Sequence, residues 1–422
     1  MKDNKTGRFA DLGISRNLLE ALNQKGFVSP TPIQHQVIPD ALEGKDIVGI
    51  AQTGTGKTLG FGIPMIERLI SGKGQGLVLV PTRELAGQVH ASLDAIGRPL
   101  GLRSVAVIGG VSQNAQVRAL KQKPHIIVAT PGRLDDLVNQ GACHLRDVKI
   151  VTMDEADRML DVGFLPNIKR IMKGVPQQRQ TLLFSATMPK SVSKLASEFM
   201  KLPLRIEVAP EGTSAENVEQ EIFVVLKNKK MRLLDSLLSK YSSDTILIFS
   251  RTKHGAKRIA RDIRNMGHTS TEIHGNRSQR QREMALDGFR KGRFRVMVAT
   301  DIAARGIDVK DISLVINFDL PDSLEDYVHR IGRTGRAGRF GKAISFVTPG
   351  EKSDIRRIEK MIRKAIPVLA LPELPPEREK PPVEETQHRR HQRSFRGQPN
   401  GHSRGSSKGS RGNKRRRGRW HK

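Results

Sequence analysis

Short apolar runs recur along the chain, each followed by a turn and a longer stretch of helical period. In the first half the runs predict strands at Ile47–Ala51, Leu77–Val80, Val105–Ile108, Ile126–Ala129, Ile150–Met153 and Thr181–Phe184. They are continuous rather than alternating, as in parallel strands covered on both faces. Ser15–Lys25 and Lys57–Ile70 have helical patterning, the second despite Pro64. The pattern fades over Pro203–Glu216, where Ala209–Ser214 reads as a linker. It restarts at Ile222–Leu226, Thr245–Ser250, Val296–Thr300, Leu314–Phe318 and Ala343–Val347. Alternating strands and helices, interrupted once, predict an α/β fold with two domains of similar size, 1–207 and 217–371, around a linker at 208–216.

Composition changes the picture at the C-terminus. Apolar residues make up 37% of the 422, low for a chain folded throughout. After Leu371 a proline-rich stretch leads into an Arg/Gly/Ser-rich end, so 372–422 is predicted to be a disordered basic tail. Net charge is +30, and the 37 residues from Thr386 carry 10 Arg, 3 Lys and no acid. Such a balance points to a polyanionic partner, nucleic acid before an anionic membrane surface, since no amphipathic basic helix is in evidence; no apolar stretch is long enough to span a bilayer either. Arg396-Gly397, Arg404-Gly405, Arg411-Gly412 and Lys414–Arg419, with Phe395 and Trp420, suit nonspecific RNA binding, although such a tail can also serve only to solubilise. Cys143 is the single cysteine, and Met1–Lys5 precedes no apolar run, so no disulfide or signal peptide is expected and a cytoplasmic site fits.

Two clusters carry chemistry. Ala51-Gln52-Thr53-Gly54-Thr55-Gly56-Lys57-Thr58 lies between a predicted strand and a predicted helix. Its glycines let backbone N–H groups close around phosphate, Lys57 supplies a point charge, and the Thr58 hydroxyl can ligate magnesium. Asp154-Glu155-Ala156-Asp157 ends a buried apolar run, where α/β sheets place their reactive groups. There Asp154 is positioned to hold Mg2+ and Glu155 to orient and deprotonate a water. Together the clusters predict ATP as substrate.

With these motifs the chain resembles the DEAD-box ATP-dependent RNA helicases of superfamily 2, over roughly residues 9–350. The resemblance implies two RecA-like parallel-sheet domains. Phe27 and Pro30–Gln34, with Phe9 upstream, resemble the adenine-reading Q motif. Pro81-Thr82-Arg83-Glu84-Leu85-Ala86, Gly109-Gly110 and Thr130-Pro131-Gly132-Arg133 resemble RNA-contacting motifs of the first domain. Ser185-Ala186-Thr187 resembles the motif coupling hydrolysis to strand separation, though its hydroxyls could equally cap a helix. In the second domain, Arg251, Gly275, Gln279 and Arg282, and Thr300 and Asp301, are implied to lie near RNA, with Asp308 near the ATP ribose. His329–Arg336 resembles the motif whose Arg333 and Arg336 would act as arginine fingers. Asp157 is implied to link Ser185 and His329. The wording Ile273–Gln279 is similar to the bacterial RhlE-type branch. The expected function is RNA-stimulated ATP hydrolysis driving local, non-processive RNA remodelling, in ribosome assembly or RNA decay. An ATP-independent RNA chaperone and a DNA helicase remain the rival readings; stimulation of ATPase by RNA separates the first, and comparing stimulation by RNA and by DNA of matched length separates the second.

Overall fold

The computed structural model describes residues 7–52, 54–72, 74–208, 218–304, 309, 312–335, 340–362 and 364–376. Two seven-stranded sheets organise them. The first lobe contains β1 (Ile47–Ile50), β2 (Gln75–Leu79), β3 (Ser104–Val107), β4 (Ile126–Ala129), β5 (Val148–Met153), β6 (Gln180–Ser185) and β7 (Leu204–Glu207). The second contains β8 (Val218–Val224), β9 (Ile246–Phe249), β10 (Ser270–Ile273), β11 (Val296–Ala299), β12 (Leu314–Asn317), β13 (Gly341–Val347) and β14 (Val368–Leu369). The orders are β3-β4-β2-β5-β6-β1-β7 and β10-β11-β9-β12-β13-β8-β14, so the second sheet repeats the permutation of the first strand for strand.

Every pairing is parallel. Parallel neighbours need crossovers, and helices fill them on both faces of each sheet. Each sheet accordingly separates two apolar clusters, such as Val78, Val128 and Leu182 on one face of the first and Leu77, Ile127 and Leu183 on the other. The helix Lys57–Ser71 continues through Pro64 because Phe61, Ile63, Met65 and Ile66 are fully buried. That burial offsets the hydrogen bond lost at proline, about 3 kcal/mol in an exposed helix.

Strand order sets the site. β5, β6 and β1 are neighbours, with Ile50 paired to Ser185. The loops leaving their C-terminal ends therefore converge, bringing Gly54–Thr58, Asp154–Asp157 and Ser185–Thr187 together. The other half, β3-β4-β2, presents Gly109-Gly110, Thr130–Arg133 and Pro81–Arg83.

Two expectations change. The fading pattern over Pro203–Glu216 hides β7, an edge strand whose side chains are mostly exposed. The folded region also runs past Leu371: Arg232 donates from Nε to Pro375 O at 2.6 Å and from Nη2 to Leu374 O at 3.2 Å. The predicted linker from 209 onward and the basic tail from 377 lie outside the described residues.

Candidate active site

The turn after β1 needs glycine. Gly54 and Gly56 both have φ near 90°, and a Cβ on Gly56 would collide with the Gln34 amide. Thr55 Oγ1 donates to Gln52 O at 2.7 Å and buried Lys57 donates from Nζ to Ala51 O at 2.8 Å, so the loop closes on itself. Thr58 follows in the first turn of the helix. Thr53 lies outside the described residues.

Both ends of the Gln34 amide, which the resemblance implies reads adenine, are engaged within the protein. Its Oε1 accepts the Thr31 N–H at 2.9 Å and its Nε2 donates to Gly56 O at 2.8 Å, so both ends brace the phosphate loop. Thr31 and Gln34 form a capping box at the start of the helix Pro32–Leu42. Phe9 is likewise in the core, 3% exposed, which leaves Phe27 at 38% as the aromatic ring with an open face.

Asp154 and Glu155 are both buried at the end of β5. The Glu155 N–H donates to Asp154 Oδ1 at 2.9 Å. Glu155 has φ and ψ of 51°, a left-handed conformation costly for a residue with a side chain. Among the described residues neither of its carboxylate oxygens accepts a hydrogen bond; Oε2 faces Arg158 Nε at 3.9 Å. Burial raises the Asp154 carboxyl to about 6, opposed by the Lys57 charge and reinforced by Glu155 and Asp157. Such a buried, partly unsatisfied acidic pair beside a lysine fits a magnesium–phosphate group. Mg2+ takes one or two protein oxygens plus phosphate and water, consistent with Asp154 and Thr58. No cluster of three or more His, Cys, Asp or Glu with metal-ligand geometry exists among the described residues.

Asp157 joins β5 to β6. Its Oδ2 accepts from Thr187 N at 3.0 Å and from Thr187 Oγ1 at 2.9 Å, and its own N–H donates to Ser185 Oγ at 3.3 Å. The Asp157 charge also acts on His329, and the next residue adds a direct contact to that ring. Arg158 Nη2 lies 2.7 Å from His329 Nδ1, on the second lobe. Burial, then the Arg158 charge, lowers His329 to about 3, so its ring is neutral and Nδ1 accepts. Arg158 immediately follows the run Asp154–Asp157, and nothing in its spacing marked it as a bridge between lobes.

On the second lobe Arg333 is buried, with Nε donating to His329 O at 3.2 Å. It lines a small cavity with Arg158, Asp326 and His329. Arg336 and Asp308 lie outside the described residues. Asp301, expected near RNA, is committed elsewhere: its two oxygens hold Arg330 at 2.6 and 2.8 Å. Arg330 is 1% exposed, donates to Asn317 Oδ1 at 3.2 Å and lies over the Phe249 ring at 5.0 Å. A buried guanidinium needs such a counter-charge.

The remaining motifs sit at the sheet edges. Thr82 caps the helix Arg83–Gly97, accepting from Leu85 N at 3.2 Å, and Pro81 precedes it. The Arg83 guanidinium packs on Gly109 and Gly110, where a side chain would displace it. Thr130 and Pro131 start the helix Pro131–Asn139, which includes Gly132, and Arg133 donates to Val111 O at 3.4 Å. Gly275 is exposed and Thr300 half-buried at the ends of β10 and β11. Arg251, after β9, donates to Leu320 O at 3.1 Å and faces Asp322 and Glu351. Gln279 and Arg282 do not present a free surface, because both are buried and Arg282 pairs with Glu84 of the first lobe.

Residues 31–195 match the family model of the DEAD/DEAH box helicases, and residues 229–338 that of the helicase conserved C-terminal domain. The DEAD-box ATP-dependent RNA helicase CshA of Bacillus subtilis (strain 168) is 44% identical over 368 residues, 87% of this chain and 74% of that protein. The ATP-dependent rRNA helicase RRP3 of Debaryomyces hansenii is 43% identical over 362 residues, 85% of this chain and 76% of that protein. Among solved structures, S. cerevisiae Dbp5 bound to RNA and ADP BeF3 superposes with a TM-score of 0.77 at 30% identity, covering 86% of this chain and 95% of that one. Mss116p bound to ssRNA and AMP-PNP gives 0.80 at 26% identity, covering 88% and 81%.

Proposed function

The chain belongs to the DEAD-box family of ATP-dependent RNA helicases, and from that premise we propose how its own residues divide the work. Glu155 orients the attacking water and takes its proton. The observation carrying this is a buried carboxylate, next to Asp154 in the chain, whose two oxygens accept no hydrogen bond from the described residues. Lys57 and the backbone amides of Gly54–Thr58 hold the phosphates, and Asp154 with the Thr58 hydroxyl holds Mg2+. When bound, Mg2+ neutralises phosphate charge and fixes phosphate geometry. Phe27 offers its ring to the adenine. Arg333 and Arg336 are the second-lobe cations that would face the transferred phosphoryl group.

RNA lies along the β3-β4-β2 edge, against Thr82, Arg83, Gly110, Thr130, Gly132 and Arg133, and continues to Arg251, Gly275 and Thr300. These groups suit phosphate and ribose, so recognition is of backbone rather than sequence. Bridging both lobes would favour the closed arrangement and local, non-processive strand separation. The tail beyond 376 adds a nonspecific RNA clamp. A ribosomal RNA substrate, to which the name of the RRP3 relative lends support, RNA decay as a setting, a cytoplasmic location and a place in the RhlE-type branch belong to the same reading.

Glu155→Gln tests it. RNA-stimulated phosphate release is expected to vanish while ATP and RNA binding persist. Continued turnover would remove Glu155 from the role.

A further inference from the structure

We propose that Arg158 is a positioning residue that transmits docking of the second lobe to the Glu155 carboxylate, and that Asp326 is the second-lobe charge that anchors it. This rests on the assignment of Glu155 to the water.

Arg158 follows Glu155 by three positions, at the start of the helix Ala156–Asp161, and its side chain is buried. Nε faces Glu155 Oε2 at 3.9 Å. Nη2 faces two groups of the other lobe, His329 Nδ1 at 2.7 Å and Asp326 Oδ1 at 3.7 Å. A guanidinium is rigid and planar, so seating one edge fixes the direction of the other. Among the described residues the Glu155 carboxylate has no hydrogen-bonded partner to set its own orientation. The position of its carboxylate therefore depends on Arg158, and that of Arg158 on the second lobe.

The two anchors differ in kind. His329 is neutral and gives direction through one lone pair. Asp326 gives the opposing charge, and is held in the first turn of the helix Leu324–Ile331 by its N–H to Ser323 Oγ at 3.1 Å. When the lobes separate, Arg158 loses both anchors and Glu155 loses its oriented neighbour. Hydrolysis then waits on docking for the orientation of Glu155, in addition to the second-lobe cations Arg333 and Arg336.

The test uses the full chain, measuring ATPase kcat and KM with and without saturating RNA, for Asp326→Asn, Arg158→Gln, Arg158→Lys and the Arg158→Gln/Asp326→Asn double. Asp326→Asn is expected to lower RNA-stimulated kcat about tenfold with KM for ATP nearly unchanged, the mark of an interaction made at the chemical step. The double should be no slower than Arg158→Gln alone, because both changes break one relay. Arg158→Lys should not rescue, since an ammonium cannot span both lobes. Equal losses in stimulated and RNA-free rates, or effects that multiply in the double, would overturn the relay and leave Arg158 a structural prop. Glu155→Gln in the same assay separates the premise: turnover there would refute the role of Glu155 itself. Asp326 is partly exposed, so its variant should fold, and a melting curve checks that.

Discussion

Arg282 Nη2 lies 2.7 Å from Glu84 Oε2, with the two side chains 9% and 3% exposed, and this ion pair joins the two lobes. Burial raises the Glu84 carboxyl and lowers the Arg282 guanidinium, each opposed by the charge of the other. Breaking one side of a buried pair costs about 3–5 kcal/mol while the other charge stays buried. Here Arg282 can escape by parting the lobes. Glu84→Ala is therefore expected to shift the protein toward an open arrangement, read as a longer inter-lobe distance by fluorescence transfer, with little change in melting. Glu84→Leu combined with Arg282→Met should restore the shorter distance. An unchanged distance in Glu84→Ala would show that the pair does not hold the lobes.

The bracing of the phosphate loop by Gln34 gives a second test. Gln34→Glu keeps the Thr31 contact but turns the other end from a donor into an acceptor facing Gly56 O. Losing a buried donor costs about 1–3 kcal/mol. KM for ATP should rise by about tenfold or more, since 1.4 kcal/mol is tenfold, with a smaller effect on kcat. A titration with fluorescent nucleotide would show whether binding carries the loss.

Cys143 is buried, which pushes its thiol up to about 11 from an ordinary value near 9. Between those values the native thiol keeps its proton and the unfolded one loses it. This group therefore contributes stability that is fully present below pH 9 and lost as pH rises toward 11. At pH 8 labelling with a thiol reagent should be slow on native protein and fast in denaturant. Rapid native labelling would mean that the pocket opens.

The basic end beyond 376 should act through counterion release. Each phosphate neutralised contributes about 0.7 to the slope of log affinity against log salt for single strands. Truncation after Pro376 is expected to weaken RNA binding at low salt and flatten that slope, leaving RNA-free ATPase unchanged. An identical slope would leave the tail without an RNA contact.

The sequence revealed the central strands and the edge strand β3, and missed the other three edges. Runs such as Ile126–Ala129, buried on both faces, were legible because nothing polar interrupts them. β7, β10 and β14 went unread: each lies at a sheet edge, and Ser-Thr-Glu-Ile of β10 lacks the continuous apolar signature. At the site, residues whose chemistry is local could be placed, Lys57 and Glu155 among them. Arg158–His329 and Arg282–Glu84 could not, because each pair lies about 170 or more positions apart in the chain and depends on how the two lobes meet. The bracing role of Gln34, which caps the helix Pro32–Leu42, is not legible in the Q-motif resemblance, because a base-facing amide and a bracing one look alike in sequence.

Glu155 holds a backbone conformation that glycine or asparagine adopts with less strain. Relaxing it would remove the group assigned to the water. Resistance to heat and speed of turnover thus pull one position in opposite directions. A library of this chain selected for thermal survival alone should accumulate glycine or asparagine at 155 and lose its ATPase as it hardens.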